Sequence, residues 1–495
     1  MKKINKEIND YPFIKENKKV LSYHFCKNNL LIVLDNNSKV IIAISDPLNI
    51  EIVKELKLIF SKEIDLIEYP KEEIQKAIEK CYQQKRNLAT EAIKRNQIIF
   101  EGYDLLDNTS DNESVNTLNA IILEAISQKA SDIHFIPEKE ILKVKYRIDG
   151  ILQERPVIYG DSISRILTRL KVMGKLDIAE KRLPQDGRIK LMLGDRDIDF
   201  RLSTIPTVYG ERVVLRILDK TNVVLGLDNI GMEKKMVSDF KKMLSHPEGI
   251  ILVTGPTGSG KTTTLYSAIN ELNFNELNIM TIEDPVEYKL TNISQIAVNP
   301  KIDLTFAKGL RHILRQDPDV IMIGEIRDRE TAQIAIQAAL TGHLVLSTLH
   351  TNDAPSAITR LVDMQVEPYL LSSTVVGILA QRLVRKICPK CIEEYKPSEK
   401  ELADLNINEK HLYKGKGCES CFHTGYLGRC GIYELMSVNS NIKKQILKSA
   451  DTTLIKESLD KNHKSLLDFG IGLIKKKITT SYEILRVTRN LYGSI

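Results

Sequence analysis

The chain carries 495 residues, 42% hydrophobic and 27% charged, with 71 Lys and Arg against 65 Asp and Glu for a net charge of +6. That balance is ordinary for a folded globular chain of about three domains, and without a long basic block, with 6% aromatics and no Trp, it lends nothing to a nucleic-acid groove. No run of about 18 apolar residues is present, and the polar start MKKINKEINDYPF lacks a signal-peptide core, so a cytoplasmic protein is expected.

Residues 1–85 alternate short apolar strands, at 29–34 and 40–44, with helical segments such as 50–60. The stretch 86–112 turns polar and ends in Asp107-Asn108-Thr109-Ser110-Asp111-Asn112, which reads as a hinge or linker. Residues 113–222 form a second α/β unit, with apolar positions at helical spacing over 115–128 and strand-like runs at 142–148 and 213–218. Residues 223 to 495 form the third and largest region.

The centre of that region is Gly255-Pro256-Thr257-Gly258-Ser259-Gly260-Lys261-Thr262, which fits G-x-x-x-x-G-K-[ST], with Thr263 following. The apolar run Ile250-Ile251-Leu252-Val253 before it reads as a buried strand, and Leu265, Ala268, Ile269 and Leu272 after it recur at helical spacing. Strand, glycine loop and helix make a phosphate cradle in which backbone N–H groups and the helix N-terminus attract anionic charge. Lys261 would reach the β- and γ-phosphates of ATP, and the Thr262 hydroxyl would join the Mg²⁺ shell.

A phosphate-loop enzyme needs a carboxylate at the end of a neighbouring strand, to hold Mg²⁺ or to activate water. Two segments qualify. One is the run 279–282 leading into Glu283-Asp284-Pro285-Val286-Glu287; the other is the apolar strand 319–323 leading to Gly324 and Glu325. Between Glu283 and Glu287 the residues alone do not choose. His343 and His350 bracket another apolar run, 344–349, beside Ser347 and Thr348, and both are taken as nucleotide-side groups.

Cysteine usage adds a metal. Cys388 and Cys391, then Cys418 and Cys421, form two C-x2-C knuckles whose four thiolates suit a closed structural Zn²⁺ site. The long gap between them predicts an intervening helix. Cys26 and Cys81 read as small core residues.

The segments GPTGSGKTTTLY, TIEDPVEY, LRHILRQDPDVIMIGEIRD and TGHLVLSTLHTNDA, in that order, resemble the secretion ATPase superfamily. The tetracysteine segment followed by Gly425-Tyr426-Leu427-Gly428-Arg429 is similar to its assembly branch, the type II secretion, type IV pilus extension and DNA-uptake pseudopilus ATPases. The resemblance implies an α/β protein with a RecA-like P-loop core over 223–495 that carries the zinc segment 388–421. A smaller α/β domain, 113–222, precedes it and carries trans-acting arginines; an N-terminal α/β docking domain, 1–85, comes first. It further implies a homohexameric, Mg²⁺-dependent ATPase acting on an inner-membrane platform protein, with residues 1–85 docking on a membrane-anchored partner. Arg201 and Arg216 then face the phosphates, Arg311, Arg315 and Arg429 join them, and Glu287 activates water while Glu325 polarises the Mg²⁺ shell, two roles that could be exchanged. The first domain resembles a module that binds cyclic di-GMP in some relatives, but the Arg-Leu-Gly motif for that ligand is missing near residues 1–40 and the ligand is not expected. The alternative is a P-loop ring motor acting on nucleic acid.

Overall fold

The computed structural model describes residues 21, 25–26, 29–36, 39–47, 50–60, 62–83, 113–193, 196–219 and 225–488. The predicted linker 86–112 and the side chain of Cys81 lie outside the described residues. The chain divides into two compact units, Met1–Asn222 and Val223–Ile495.

In the first unit, strands β1 (Leu31–Asn36), β2 (Val40–Ile44) and β3 (Ile64–Glu68) form a three-stranded sheet, antiparallel then parallel. The helices Ile50–Ile59 and Lys71–Gln83 accompany it, and Cys26 is buried in its core. A second sheet contains β4 (Ala130–Glu138), β5 (Ile141–Ile148), β6 (Ile151–Glu154), β7 (Ile158–Tyr159), β8 (Gln185–Leu193), β9 (Arg196–Thr207) and β10 (Gly210–Asp219), in the order β6-β5-β4-β10-β9-β8 with β7 beside β5. Its strands alternate in the way a one-sided sheet requires. Leu142, Val144, Tyr146, Phe200, Leu202, Val213 and Leu215 go inward, under the helices Glu113–Ser127 and Ser162–Met173. The other face carries a cross-strand row in direct register, Arg188, Arg201, Arg216, Asp132 and Arg147.

The second unit is built on β11 (Gly249–Thr254), β12 (Ile279–Glu283), β13 (Ser294–Ala297), β14 (Val320–Ile323), β15 (Leu344–Leu349) and β16 (Val375–Ile387). A small hairpin, β17 (Ile392–Tyr395) and β18 (Leu412–Gly415), lies beyond them, and β19 (Tyr426–Ser437) returns along β16. The main sheet runs β13-β12-β14-β15-β11-β16-β19, parallel throughout except for its last pair. Strands β11, β12, β14 and β15 are buried along their whole length, which explains why they read as continuous apolar runs rather than alternating ones. In such a sheet the loops leaving the carboxyl ends of the strands are where ligands gather.

Strand β16 leads directly into the first cysteine knuckle, and a buried charge cluster anchors its far end. Glu483, with no exposure at its side chain, accepts from Arg385 Nη2 at 2.7 Å, Arg385 N at 3.0 Å and Arg486 Nη2 at 2.9 Å. Arg385 also lies over the Tyr426 ring at 3.9 Å. Burial raises the Glu483 pKa, but these donors outweigh it and hold the carboxyl at about 2 against an ordinary 4.5. Because the folded pKa is the lower one, this stabilisation is present above about 4.5 and is lost as pH falls toward 2. Glu483→Gln, which leaves Arg385 buried beside a neutral partner, is expected to cost about 3 kcal/mol at neutral pH. It should also flatten the loss of stability between those two pH values. Unfolding midpoints measured along an acid titration check this; an unchanged slope would show that the cluster contributes nothing to acid sensitivity.

Candidate functional site

The glycine loop leaves the carboxyl end of β11 and enters the helix Lys261–Ile269. Its bends are backbone requirements. Gly255 has φ +154° and a Cβ there would stand 2.5 Å from the Gln381 carbonyl; Gly260 has φ +89° and a Cβ there would stand 3.1 Å from Gln381 Nε2. Only glycine meets both conditions. Lys261 Nζ folds back over the loop and donates to the carbonyls of Gly255 at 2.8 Å and Pro256 at 3.1 Å. Burial lowers its pKa to about 8, with Glu325 opposing that effect. Pro256, Thr257, Gly258 and Thr262 are exposed, whereas Ser259 is buried.

The neighbouring parallel strands bring two more groups to the same edge. Glu325 follows β14 and His350 follows β15, and they meet with His350 Nε2 3.3 Å from Glu325 Oε2. Three bonds fix this arrangement: Ser347 Oγ to the Ile323 carbonyl at 2.9 Å, Thr348 Oγ1 to the Gly324 carbonyl at 2.7 Å, and Ile326 N to the Thr348 carbonyl at 3.0 Å. Burial, with Lys261 adding to it, lowers the His350 pKa. The carboxylate can only accept, so it is the His350 Nε2–H that faces it. Arg327 Nη2 takes the other oxygen of Glu325 at 2.5 Å.

The two acids of the 283–287 segment separate clearly. Glu283 is buried and accepts from Thr281 Oγ1 at 2.8 Å, Gln295 Nε2 at 3.0 Å and the Tyr266 hydroxyl. Glu287 lies half-buried on the loop beyond the cis Asp284–Pro285 peptide.

Other predicted site residues are placed elsewhere. His343 is corrected: it precedes β15, its carbonyl accepts from Gly249 N at the start of β11, and its Nδ1 lies 2.9 Å from the Ala338 carbonyl. It therefore sits at the opposite edge of the sheet from the glycine loop, about 20 Å away along a strand of this length. Arg311, exposed on the helix Phe306–Ile313, pairs with Glu330 at 2.6 Å, and Arg315, exposed in the turn just past that helix, lies 2.7 Å from His312. Arg429 is exposed on β19, paired in register with Arg385. In the first unit, Arg216 Nε donates to Asp132 Oδ1 at 3.1 Å, and Arg147 Nε lies 3.6 Å from Oδ2 of the same buried carboxylate. Arg201 is the register neighbour of Arg216.

Sequence reading passed over Arg327, Gln381 and Arg382. The last two carried a signal, being a polar pair inside the otherwise apolar run VVGILAQRLV.

The four predicted zinc ligands do converge. Their Sγ atoms all lie within 4.8 Å of one another, with Cys388–Cys418 at 3.9 Å, Cys391–Cys421 at 3.8 Å and Cys418–Cys421 at 3.7 Å. A tetrahedron with Zn–S bonds of about 2.3 Å has edges of about 3.8 Å, so the donor set fits Zn²⁺. These separations are far from the roughly 2.05 Å of a disulfide. Backbone N–H groups of Gly417, Cys418 and Gly425 point at Cys391 and Cys421 sulfur at 3.2–3.3 Å, the pattern expected around thiolates. The predicted intervening helix is present as Glu399–Leu405.

Residues 107–486 match the family described as type II/IV secretion system protein, and residues 7–88 match the MshEN domain. The chain is 43% identical over 479 residues to the type II secretion system ATPase E of Vibrio cholerae, covering 93% of this chain and 95% of that one. It is 50% identical over 390 residues to the type II secretion system protein E of Aeromonas hydrophila, covering 78% of each. Among solved structures it is similar to the pilus retraction motor PilT with bound ADP, with a TM-score of 0.50 and 28% identity over 74% of this chain and 95% of that one. With its glycine loop, its strand-end carboxylate and its cysteine cluster in place, the chain belongs to the type II/IV secretion system protein family and is one of its ATPases.

Proposed function

We propose that this ATPase powers type II secretion, working as a homohexameric ring on the cytoplasmic side of the inner membrane and acting on a platform protein there. The reading rests on one observation above the rest: Lys261, Glu325 and His350 meet at the carboxyl ends of β11, β14 and β15. It is supported by relatives that carry the type II secretion name at 43% and 50% identity. The backbone of residues 255–263 cradles the phosphates of ATP, and Lys261 moves from its loop carbonyls to the β- and γ-phosphates. Thr262, and Glu325 through water, would hold Mg²⁺, which would supply charge neutralisation there. Glu287, on its loop, takes the attacking water's proton, while Glu283 holds that loop's base from inside. Residues 1–85 dock on a membrane-anchored partner, and residues 113–222 carry trans-acting arginines. Arg311, Arg315 and Arg429 are phosphate-side cations that complete the site when domains or protomers close on it.

Arg201 and Arg216 supply the cation for the transition state. Arg216→Ala is expected to lower kcat about 10- to 50-fold, less than loss of a lone arginine finger because Arg201 lies beside it. Mixing it with a Glu325→Gln protein locates the donor. If the arginine reaches a neighbour's site, a head-to-tail ring regains up to about a quarter of wild-type turnover. If it serves its own site, none returns. An Arg216→Ala turnover equal to wild type would remove the arginine role.

The function itself is tested by phosphate release from the full chain, with and without the cytoplasmic domains of the platform protein. Mg²⁺-dependent turnover that rises with the platform is the expected result. Turnover raised instead by DNA, or ATP binding without hydrolysis, would overturn it.

A further inference from the structure

Two adjacent residues of β16, one strand away from the glycine loop, hold both halves of the candidate nucleotide site. Successive side chains of a strand leave by opposite faces, and Gln381 and Arg382 use that alternation. Gln381 is buried, with both ends of its amide engaged: Nε2 donates to the Ser259 carbonyl at 2.6 Å, and Oε1 accepts from Thr264 Oγ1 at 2.8 Å. These contacts bracket the loop on either side of Lys261 and Thr262. The Gln381 main chain presses on the first glycine as well, since a Cβ at Gly255 would meet its carbonyl at 2.5 Å.

Arg382 turns the other way. It is 6% exposed, and its Nη2 donates to both the carbonyl and Oδ1 of Asn352, each at 3.0 Å. Asn352 lies two residues beyond His350. Thr351, between them, is tied to the end of β11 through its N–H to Thr254 Oγ1 at 2.9 Å. The Nη1 of Arg382 has no hydrogen-bond partner, and its charge lies close enough to Lys261 to oppose that ammonium. A buried guanidinium left half-satisfied is costly for a purely structural residue.

We infer that Gln381 and Arg382 are the positioning residues of this site, Gln381 setting the phosphate loop and Arg382 setting the His350 loop. The inference rests on the nucleotide reading of residues 255–262 given above. It predicts a division of labour: Gln381 governs ATP binding and Arg382 governs turnover.

The test uses full-length protein, a fluorescent ATP analogue with Mg²⁺, steady-state phosphate release and a thermal unfolding scan. Gln381→Leu keeps the volume and removes both bonds; it should weaken nucleotide binding about tenfold and change kcat less than threefold. Arg382→Gln should do the reverse, lowering kcat about tenfold with binding within twofold of wild type. Thr264→Val, a near-isosteric change on the opposite side of the same bond, should weaken binding at least threefold. Combined with Gln381→Leu it should add nothing further. If Gln381→Leu does not fold, Thr264→Val decides alone: binding within twofold of wild type overturns the role of Gln381. A uniform fall of binding and kcat in both β16 variants, tracking the unfolding midpoint, would show a merely structural pair and overturn the inference. Lys261→Ala is the control for the underlying reading. If it binds nucleotide as wild type does, the site lies elsewhere and both proposals fall; if it loses binding while Gln381→Leu does not, only the inference fails.

Discussion

Glu325→Gln is expected to slow phosphate release by about 10³-fold while leaving Mg-ATP affinity within about threefold of wild type. The substitution keeps the shape of the side chain and an acceptor for His350 Nε2, so the strand-end geometry that joins β14 to β15 is preserved. It removes the negative charge whose field acts on Lys261 and which, in the proposed mechanism, would polarise the Mg²⁺ shell. Stability should hardly change. The group that loses its ion pair, Arg327, has a side chain 65% exposed and turns to water at little cost. Turnover and the unfolding midpoint, measured on the same preparation, therefore separate a chemical defect from a folding one. Glu287→Gln belongs in the same experiment. If Glu287→Gln abolishes turnover and Glu325→Gln does not, the charge that matters sits on the 283–287 loop and Glu325 is dispensable for the chemical step.

The second large effect belongs to the cysteine cluster. Cys421→Ser is expected to release about one metal equivalent per chain and to unfold the segment between the knuckles, at a cost of about 5 kcal/mol or more. Two backbone N–H groups, of Cys418 and Gly425, converge on the Cys421 sulfur at 3.2 and 3.3 Å, and a serine hydroxyl is a poor substitute for a thiolate in that cradle. The hairpin of β17 and β18 has too few strands to stand alone. Limited proteolysis should accordingly cut between residues 388 and 425 in the variant and spare the parent protein. Metal content by mass spectrometry is the direct check: a Cys421→Ser protein that keeps its metal would dismiss this ligand set. Chelation of the parent protein should reproduce the protease sensitivity, which a disulfide-held segment would not.

The sequence was most informative where chemistry is local. The phosphate loop lies between adjacent elements of the chain, so its glycines, lysine and threonine reveal strand, turn and helix together. The cysteine knuckles are equally compact, and the four core strands announce themselves because burial on both faces demands unbroken apolar runs. Nothing local, by contrast, distinguishes the two ends of a strand. His343 and His350 bracket the same apolar run, yet the parallel direction of β15 beside β11 carries His350 to the loop edge and leaves His343 at the far one. Glu283 and Glu287 look equivalent in the chain. Burial of Glu283 against Tyr266 and Gln295, contributed by a helix and by an adjacent strand, is what separates them.

The sequence by itself therefore determined the class of chemistry, the tetracysteine cluster and most of the core. Each depends on residues within a few positions of one another, or on a pattern of burial that repeats along one strand. Tertiary structure alone decided which charged and polar groups share a place. Arg188, Arg201, Arg216, Asp132 and Arg147 become neighbours only through cross-strand register. Gln381 reaches Ser259 across 122 residues of chain because β16 pairs with β11. Hydrogen bonding and ion pairing act over a few ångströms in space, and only the closed sheet brings such distant residues within that range.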